Sequence, residues 1–324
     1  MFSYFSIKRN IIDFSKALYL RKFYTSKSPK ISEDGKAIIA MVDGKIKHGG
    51  LSDRICGIVS VFQYCVTHNI KFKIYFKYPF HLESFLIPNK YDWTIRDDEV
   101  SNNSKDASAV YISYISYYSR NPLDMRHYAD RKLNIKKKQI HVYSNMRYFE
   151  RDEFSYYFNM LFKKTPLLEQ AINDNIASLG NNYVSITFRF QQLLGDFKET
   201  GFPTLKTELE RTSLIKKCIH TIARIYEVEK KKVLVTSDSK TFLDEVKRNF
   251  DFVYIIPGKV AHMDYENKNN PNIELYLKSF VDFFLIAGAD TVYLGNIKPL
   301  YRSSFPETAA MVYKKNYYEI DESF

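Results

Sequence analysis

The chain has 324 residues, 45% of them hydrophobic and 26% charged, with a formal net charge of +11. That length suits two cores better than one, and the balance of apolar and charged residues excludes a disordered chain. Three cysteines exclude a disulfide framework, and no apolar run approaches the roughly 18 residues needed to span a bilayer.

Residues 1–30 carry seven Lys or Arg against one Asp, with Ile7, Ile11, Phe14 and Leu18 at helical spacing. The pattern predicts a basic amphipathic N-terminal segment with three readings: a helix lying on an anionic membrane, an Arg- and Ser-containing transit peptide, or a helix packed on the body of the protein. The run "AIIAMV" at 37–42 predicts a buried strand, and "HGGLSDR" at 48–54 follows it. The stripe Ile55, Val59, Phe62 and Val66 then predicts a helix starting near Ser52. Glycines here would let the backbone approach a ligand, the amides of the helix would favour a phosphate and Arg54 would add charge. Equally, Ser52 or Asp53 could be an ordinary cap after a glycine turn.

Strands follow at "KFKIYF" (71–76), "AVYISYI" (109–115) and "QIHVY" (139–143), with a polar, turn-rich loop at 94–108. The turn "SLGNNY" at 178–183 marks a domain boundary. Beyond it come "YVSITFRF" (183–190), "KVLVTSD" (232–238), "FVYIIP" (252–257) and "TVYLG" (291–295). Helical stripes separate them, at Leu214, Cys218, Ile222 and Ile225; at Phe242, Val246 and Phe250; and at Leu277, Val281, Phe284 and Leu285. Alternating strands and helices predict parallel sheets covered on both faces. The expected architecture is α/β, two Rossmann-type αβα lobes with a cleft between them, an N-terminal lobe over 31–180 and a nucleotide-binding lobe over 181–324.

In such sheets ligands sit beyond the carboxyl ends of the strands, and three polar features stand there or nearby. Arg189 ends an apolar strand, where a guanidinium needs an anion, either a phosphate or a neighbouring carboxylate. Asp282, in "SFVDFFLIAG", is flanked by apolar residues and must find donors, which the Watson–Crick edge of guanine or a nearby Lys or Ser could supply. Ser303 and Ser304, in "YRSSFPETAA", could help cradle a phosphate, while Ser304 and Glu307 have the spacing of a capping box.

These residues in this order resemble the GT-B fucosyltransferase superfamily, which includes α-1,2- and α-1,6-fucosyltransferases, the nodulation fucosyltransferase and protein O-fucosyltransferases. "GGLSDR" is similar to the family's N-terminal Gly-rich turn, and "TFRFQQLLGDF" occupies the place of its His-x-Arg-Arg-x-Asp strand end. "TSDS" at 236–239 and the stretch from Asp282 to Ala310 look like its later segments. The resemblance implies that Arg189 holds the β-phosphate of a nucleotide sugar and that Asp282 reads guanine. Asp238, Ser303, Ser304 and Phe305 would line the diphosphate and sugar site, with Gly49, Gly50 and Arg54 facing them.

Thr187, Phe190 and Gln192 depart from the motif, and Asp196 comes four residues later than its acid. The resemblance implies an inverting transferase that moves fucose or a related sugar from a GDP-sugar to a glycan or lipid-linked glycan acceptor. No resident cofactor or metal is expected, since the sequence has no Asp-x-Asp. Arg189 would stabilise the departing diphosphate, with Asp196 or Glu199 as general base and His262 a weaker candidate. The cysteine count fits a reducing, cytoplasmic setting, with peripheral contact at a membrane through residues 1–30. The alternatives are a basic nucleic-acid-binding protein, although the charges are dispersed and no nucleic-acid motif is visible, or a non-catalytic relative that binds a nucleotide or glycan.

Overall fold

A computed structural model describes residues 4–29, 36–113, 122–196, 203–259 and 273–322. The chain divides into two compact units and passes from one to the other between Thr165 and Pro166. That point lies one helix ahead of the turn at 178–183.

The first unit begins with helix α1 (Tyr4–Arg21), followed by strand β1 (Ala37–Val42), helix α2 (Leu51–Thr67) and strand β2 (Lys71–Phe76). Next come β3 (Leu86–Pro88), β4 (Ala107–Ile112), α3 (Pro122–Leu133), β5 (Gln139–Ser144), α4 (Arg151–Leu161) and β6 (Phe162–Lys164). Four strands form a parallel sheet in the order β2-β1-β5-β4, and β3 pairs antiparallel with β6 in a separate ribbon. Every residue of β1 is buried, as its unbroken apolar run requires of a strand covered on both faces. Helix α2 lies tight against the end of β5: a Cβ on Gly57 would come within 2.0 Å of the Ser144 carbonyl, so only glycine fits there.

The basic N-terminal segment is part of this unit. Leu20 is buried in a core cluster with Ile39, Met41, Ala109, Tyr111 and Tyr143. Asp13, the one acid of residues 1–30, is buried and accepts hydrogen bonds from Tyr128 Oη and from Ser113 Oγ at 2.6 Å. Farther along, Tyr24 Oη lies 2.6 Å from His141 Nδ1, and Asn103 donates to the Ser28 carbonyl at 2.6 Å.

The second unit runs through α5 (Pro166–Leu179), β7 (Tyr183–Phe188), α6 (Glu208–Glu229), β8 (Lys232–Ser237), α7 (Lys240–Asn249) and β9 (Val253–Tyr254). It continues with α8 (Ile273–Gly288), β10 (Thr291–Gly295), α9 (Phe305–Val312) and β11 (Asn316–Ile320). All five strands are parallel, in the order β11-β10-β7-β8-β9, so their carboxyl ends share one edge of the sheet. Helix α6 starts at a capping box predicted by no stripe: Thr207 Oγ1 accepts from the Glu210 amide at 3.2 Å, and Glu210 accepts from the Thr207 amide at 3.0 Å. Strand β11 is half exposed, which leaves it without the apolar run that marks the other strands.

Candidate functional site

Strand β7 stops at Phe188, so Arg189 stands just beyond the strand end. Its guanidinium Nη1 lies 2.8 Å from Asp238 Oδ2, at the corresponding end of β8. The carboxylate also accepts the amides of Phe190 and Gln191, both at 2.7 Å. Gln191 sits in the left-handed region at φ +54°, a conformation that a non-glycine residue holds only when its surroundings fix it. Asp238 therefore shapes the loop leaving β7 as well as pairing with its arginine. Burial pushes the Asp238 carboxyl up, and Arg189 and the amides pull it back. Within the sheet behind them, Thr187 and Thr236 share a hydroxyl hydrogen bond of 2.8 Å. Phe190, where the resembling family has a second arginine, turns into the core against Phe242, the ring centroids 4.8 Å apart.

The same edge receives the chain that leads into α9. The Tyr301 amide donates to the Arg189 carbonyl at 3.0 Å, which ties the approach to α9 to the end of β7. Ser303 Oγ then accepts from the Phe305 amide at 3.2 Å, and the Ser304 carbonyl accepts from the Thr308 amide at 3.0 Å. The Ser304 side chain makes no cap hydrogen bond, so Ser303 takes the role the spacing assigned to Ser304 and Glu307. Phe305 packs edge-on against Phe283 of α8 at 5.6 Å. Arg189, Asp238 and the Ser303–Phe305 turn are thus joined through backbone and side-chain bonds within one unit.

Asp196, expected as one of two general-base candidates, lies beside the start of α7. It accepts from Thr241 Oγ1 at 2.6 Å, from the Thr241 amide at 3.1 Å and from Ser239 Oγ, which fixes a carboxylate at the N-terminus of α7. Glu199 and His262 lie outside the described residues.

Asp282 is buried on α8, and both of its oxygens accept from Lys278 Nζ, at 2.8 and 2.9 Å. Of the partners the sequence left open, the structure supplies the neighbouring lysine. Burial pushes the Asp282 carboxyl up against the pull of Lys278. Lys278 was not singled out in the sequence, although its place four residues before Asp282 is the spacing at which helical ion pairs form.

Gly49, Gly50 and Arg54 belong to the first unit. Gly50 is the N-cap of α2, which starts at Leu51, one residue before the expected Ser52. Gly49 has φ +89°, and a Cβ there would meet Asp53 Oδ2 at 2.4 Å, so this turn needs its glycine. Arg54 is 1% exposed, with Nε donating to the Gly49 carbonyl at 3.0 Å and Nη1 to the Tyr78 carbonyl at 2.8 Å. It holds the glycine turn to the loop after β2 from inside the unit. Beside it, His48 was overlooked in the sequence. Its ring stacks on Tyr143 at 5.8 Å, its Nε2 finds no partner among the described residues, and burial pushes its pKa down to about 3.

Among the described residues no three His, Cys, Asp or Glu side chains gather as metal ligands, and no helix is long and apolar enough to cross a membrane. No protein-family model matches the chain, and no curated protein matches it by sequence. Solved structures do. The NodZ alpha-1,6-fucosyltransferase soaked with GDP-fucose aligns over 86% of this chain and 93% of its own, at 13% identity and a TM-score of 0.55. The fucosyltransferase NodZ from Bradyrhizobium aligns over 86% of this chain and 92% of its own, at 13% identity and a TM-score of 0.53. A variant of Arabidopsis thaliana FUT1 in complex with GDP covers 95% of this chain and 74% of its own, at 13% identity and a TM-score of 0.54. At these identities the likeness is one of fold, and it places the chain among α/β proteins of GT-B-like architecture.

Proposed function

We propose that the protein is a glycosyltransferase that transfers fucose or a related sugar from a GDP-sugar to a glycan or lipid-linked glycan, with inversion and without a metal. One observation carries the reading: the fold that spans most of this chain is shared with fucosyltransferases solved with GDP or GDP-fucose. The placement of Arg189 adds to it, at the carboxyl edge of a parallel sheet where α/β proteins bind nucleotides.

In this reading Arg189 meets the charge that develops on the departing diphosphate, and Asp238 is its positioning residue. A guanidinium held by a carboxylate can trade part of that pairing for a phosphate, because both are planar or tetrahedral oxyanions of matching size. Ser303, Ser304 and Phe305 line the diphosphate and sugar. Asp282 reads guanine only by sharing or releasing Lys278, so the pair forms a built-in competitor for the base. Asp196 anchors α7, and Glu199 is the proposed general base.

Calorimetric titration of GDP, UDP and CDP without added metal tests the donor site. GDP-selective binding that is lost in Arg189→Ala supports it, and equal affinity for all three nucleotides would remove the guanine reading. With GDP-fucose and an acceptor, Glu199→Gln should abolish transfer while leaving GDP affinity in place. Unchanged turnover in that variant would exclude Glu199.

A further inference from the structure

The outward face of α1 combines features that the glycosyltransferase reading does not use. Ile11, Phe14 and Leu18 follow one another at helical spacing on that face and are 62%, 60% and 51% exposed. Asp13 and Leu20 occupy the opposite face, buried against the first unit. On a helical projection, Arg21 and Lys22 fall on either side of the exposed ridge, and both are exposed. The side chains of Ile12, Tyr19 and Phe23 are also exposed, and Lys22 Nζ lies 5.4 Å above the Tyr19 ring.

We infer that this face of α1 docks on an anionic lipid surface, with Ile11, Phe14 and Leu18 entering the interface and Arg21 and Lys22 meeting the headgroups. Charge selects this occupant. Asp13 is the only acid in residues 1–30 and is turned inward, so the outward face carries cations and no carboxylate. A second copy of the same face would oppose cations to cations, whereas an anionic bilayer offers the complementary sign together with an apolar layer. Aromatic rings beside lysine and arginine suit the boundary between headgroup and acyl chain. The helix cannot act as a detachable tail, because removing it would take Leu20 from the core and leave Tyr128 and Ser113 without Asp13. It is a fixed part of the unit with one face left over.

The test is flotation of the full chain with vesicles of phosphatidylcholine alone and of phosphatidylcholine with phosphatidylserine. The chain should float with the second and not with the first, and added salt should weaken the attachment. Phe14→Gln/Leu18→Gln, at side chains that are more than half exposed, should lower the bound fraction about tenfold or more. Arg21→Gln/Lys22→Gln should remove the preference for phosphatidylserine. A gain-of-signal variant needs no loss of binding to be read: Phe14→Trp should shift its emission to the blue on the anionic vesicles, since the chain's one native tryptophan, Trp93, is buried. Flotation of the Phe14→Gln/Leu18→Gln protein equal to the parent would overturn the proposal in favour of diffuse charge attraction. A lack of flotation, or sedimentation showing a dimer that this variant converts to monomer, would overturn it as well.

Discussion

Arg54, in the first turn of α2, and Arg189, directly after β7, are each a natural phosphate ligand on paper. The structure separates them. Arg54 is 1% exposed and anchored on the Gly49 and Tyr78 carbonyls, whereas the Arg189 side chain is 21% exposed and paired with the carboxylate of Asp238. A fully enclosed arginine holding two carbonyls belongs to the frame, because moving it would strand both acceptors. Arg189, partly open, pairs with the carboxylate of Asp238. The first unit thus uses its arginine to fix a turn, and the second leaves its own partly exposed beside a carboxylate.

Acid should break the comparison most strongly. Burial lowers His48 and His141 to about 3, both in the first unit. Their unfolded-state value is about 6.5, so between these limits the unfolded chain binds more protons and stability falls with falling pH. The loss begins as pH drops below the unfolded value and is complete once pH has passed the folded one. In the second unit burial raises Asp238 and Asp282, and that contribution runs the other way: their desolvation weakens the unit as pH rises above the ordinary carboxylate value. Unfolding followed by hydrogen exchange should therefore show the first unit opening ahead of the second as pH falls from about 6.5 toward about 3, the two histidine limits. Simultaneous opening would mean that the imidazoles do not control acid stability.

Next in size is Arg54→Ala. It empties a buried site and strands two carbonyls, and should destabilise the first unit by about 3–5 kcal/mol in urea unfolding. Arg189→Ala leaves Asp238 with its two amides and a partly solvated gap, so about 1–2 kcal/mol is expected, together with the loss of GDP binding proposed above. If the two variants lose stability equally while both bind GDP, the contrast fails. The smallest effect is at a cap: Thr207→Ala removes the acceptor for the Glu210 amide and should lower stability by about 1 kcal/mol without touching nucleotide binding.

Much of this fold was legible because buried parallel strands write themselves as apolar runs. "AIIAMV" and "TVYLG" coincide with β1 and β10 residue for residue. Shorter or half-exposed strands did not announce themselves. The run at 252–257 contracts to β9 at Val253–Tyr254, and β11 was passed over because all of it but Ile320 is at least partly exposed. The candidate site was legible in position but less so in pairing. Arg189 could be placed at a strand end from its apolar neighbours, yet its partner is Asp238, 49 residues away in sequence, and only the alignment of β7 with β8 brings them together. Asp282 and Lys278 were the reverse case: the pair is local and open to reading from spacing, yet a nearby lysine was named only as one of three possible donors. The enclosure of Arg54 was not legible, because it depends on the loop after β2, which its own segment does not reveal.

The docking of α1 also sets an order of events. Asp13 takes its hydrogen bonds from Ser113 and Tyr128, which follow it by 100 and 115 residues. During synthesis the helix is therefore made long before the side chains that receive it, and contacts of such sequence separation are the slow ones to form. Throughout that interval both faces of α1, the one bound for the core and the one that remains outside, are exposed together.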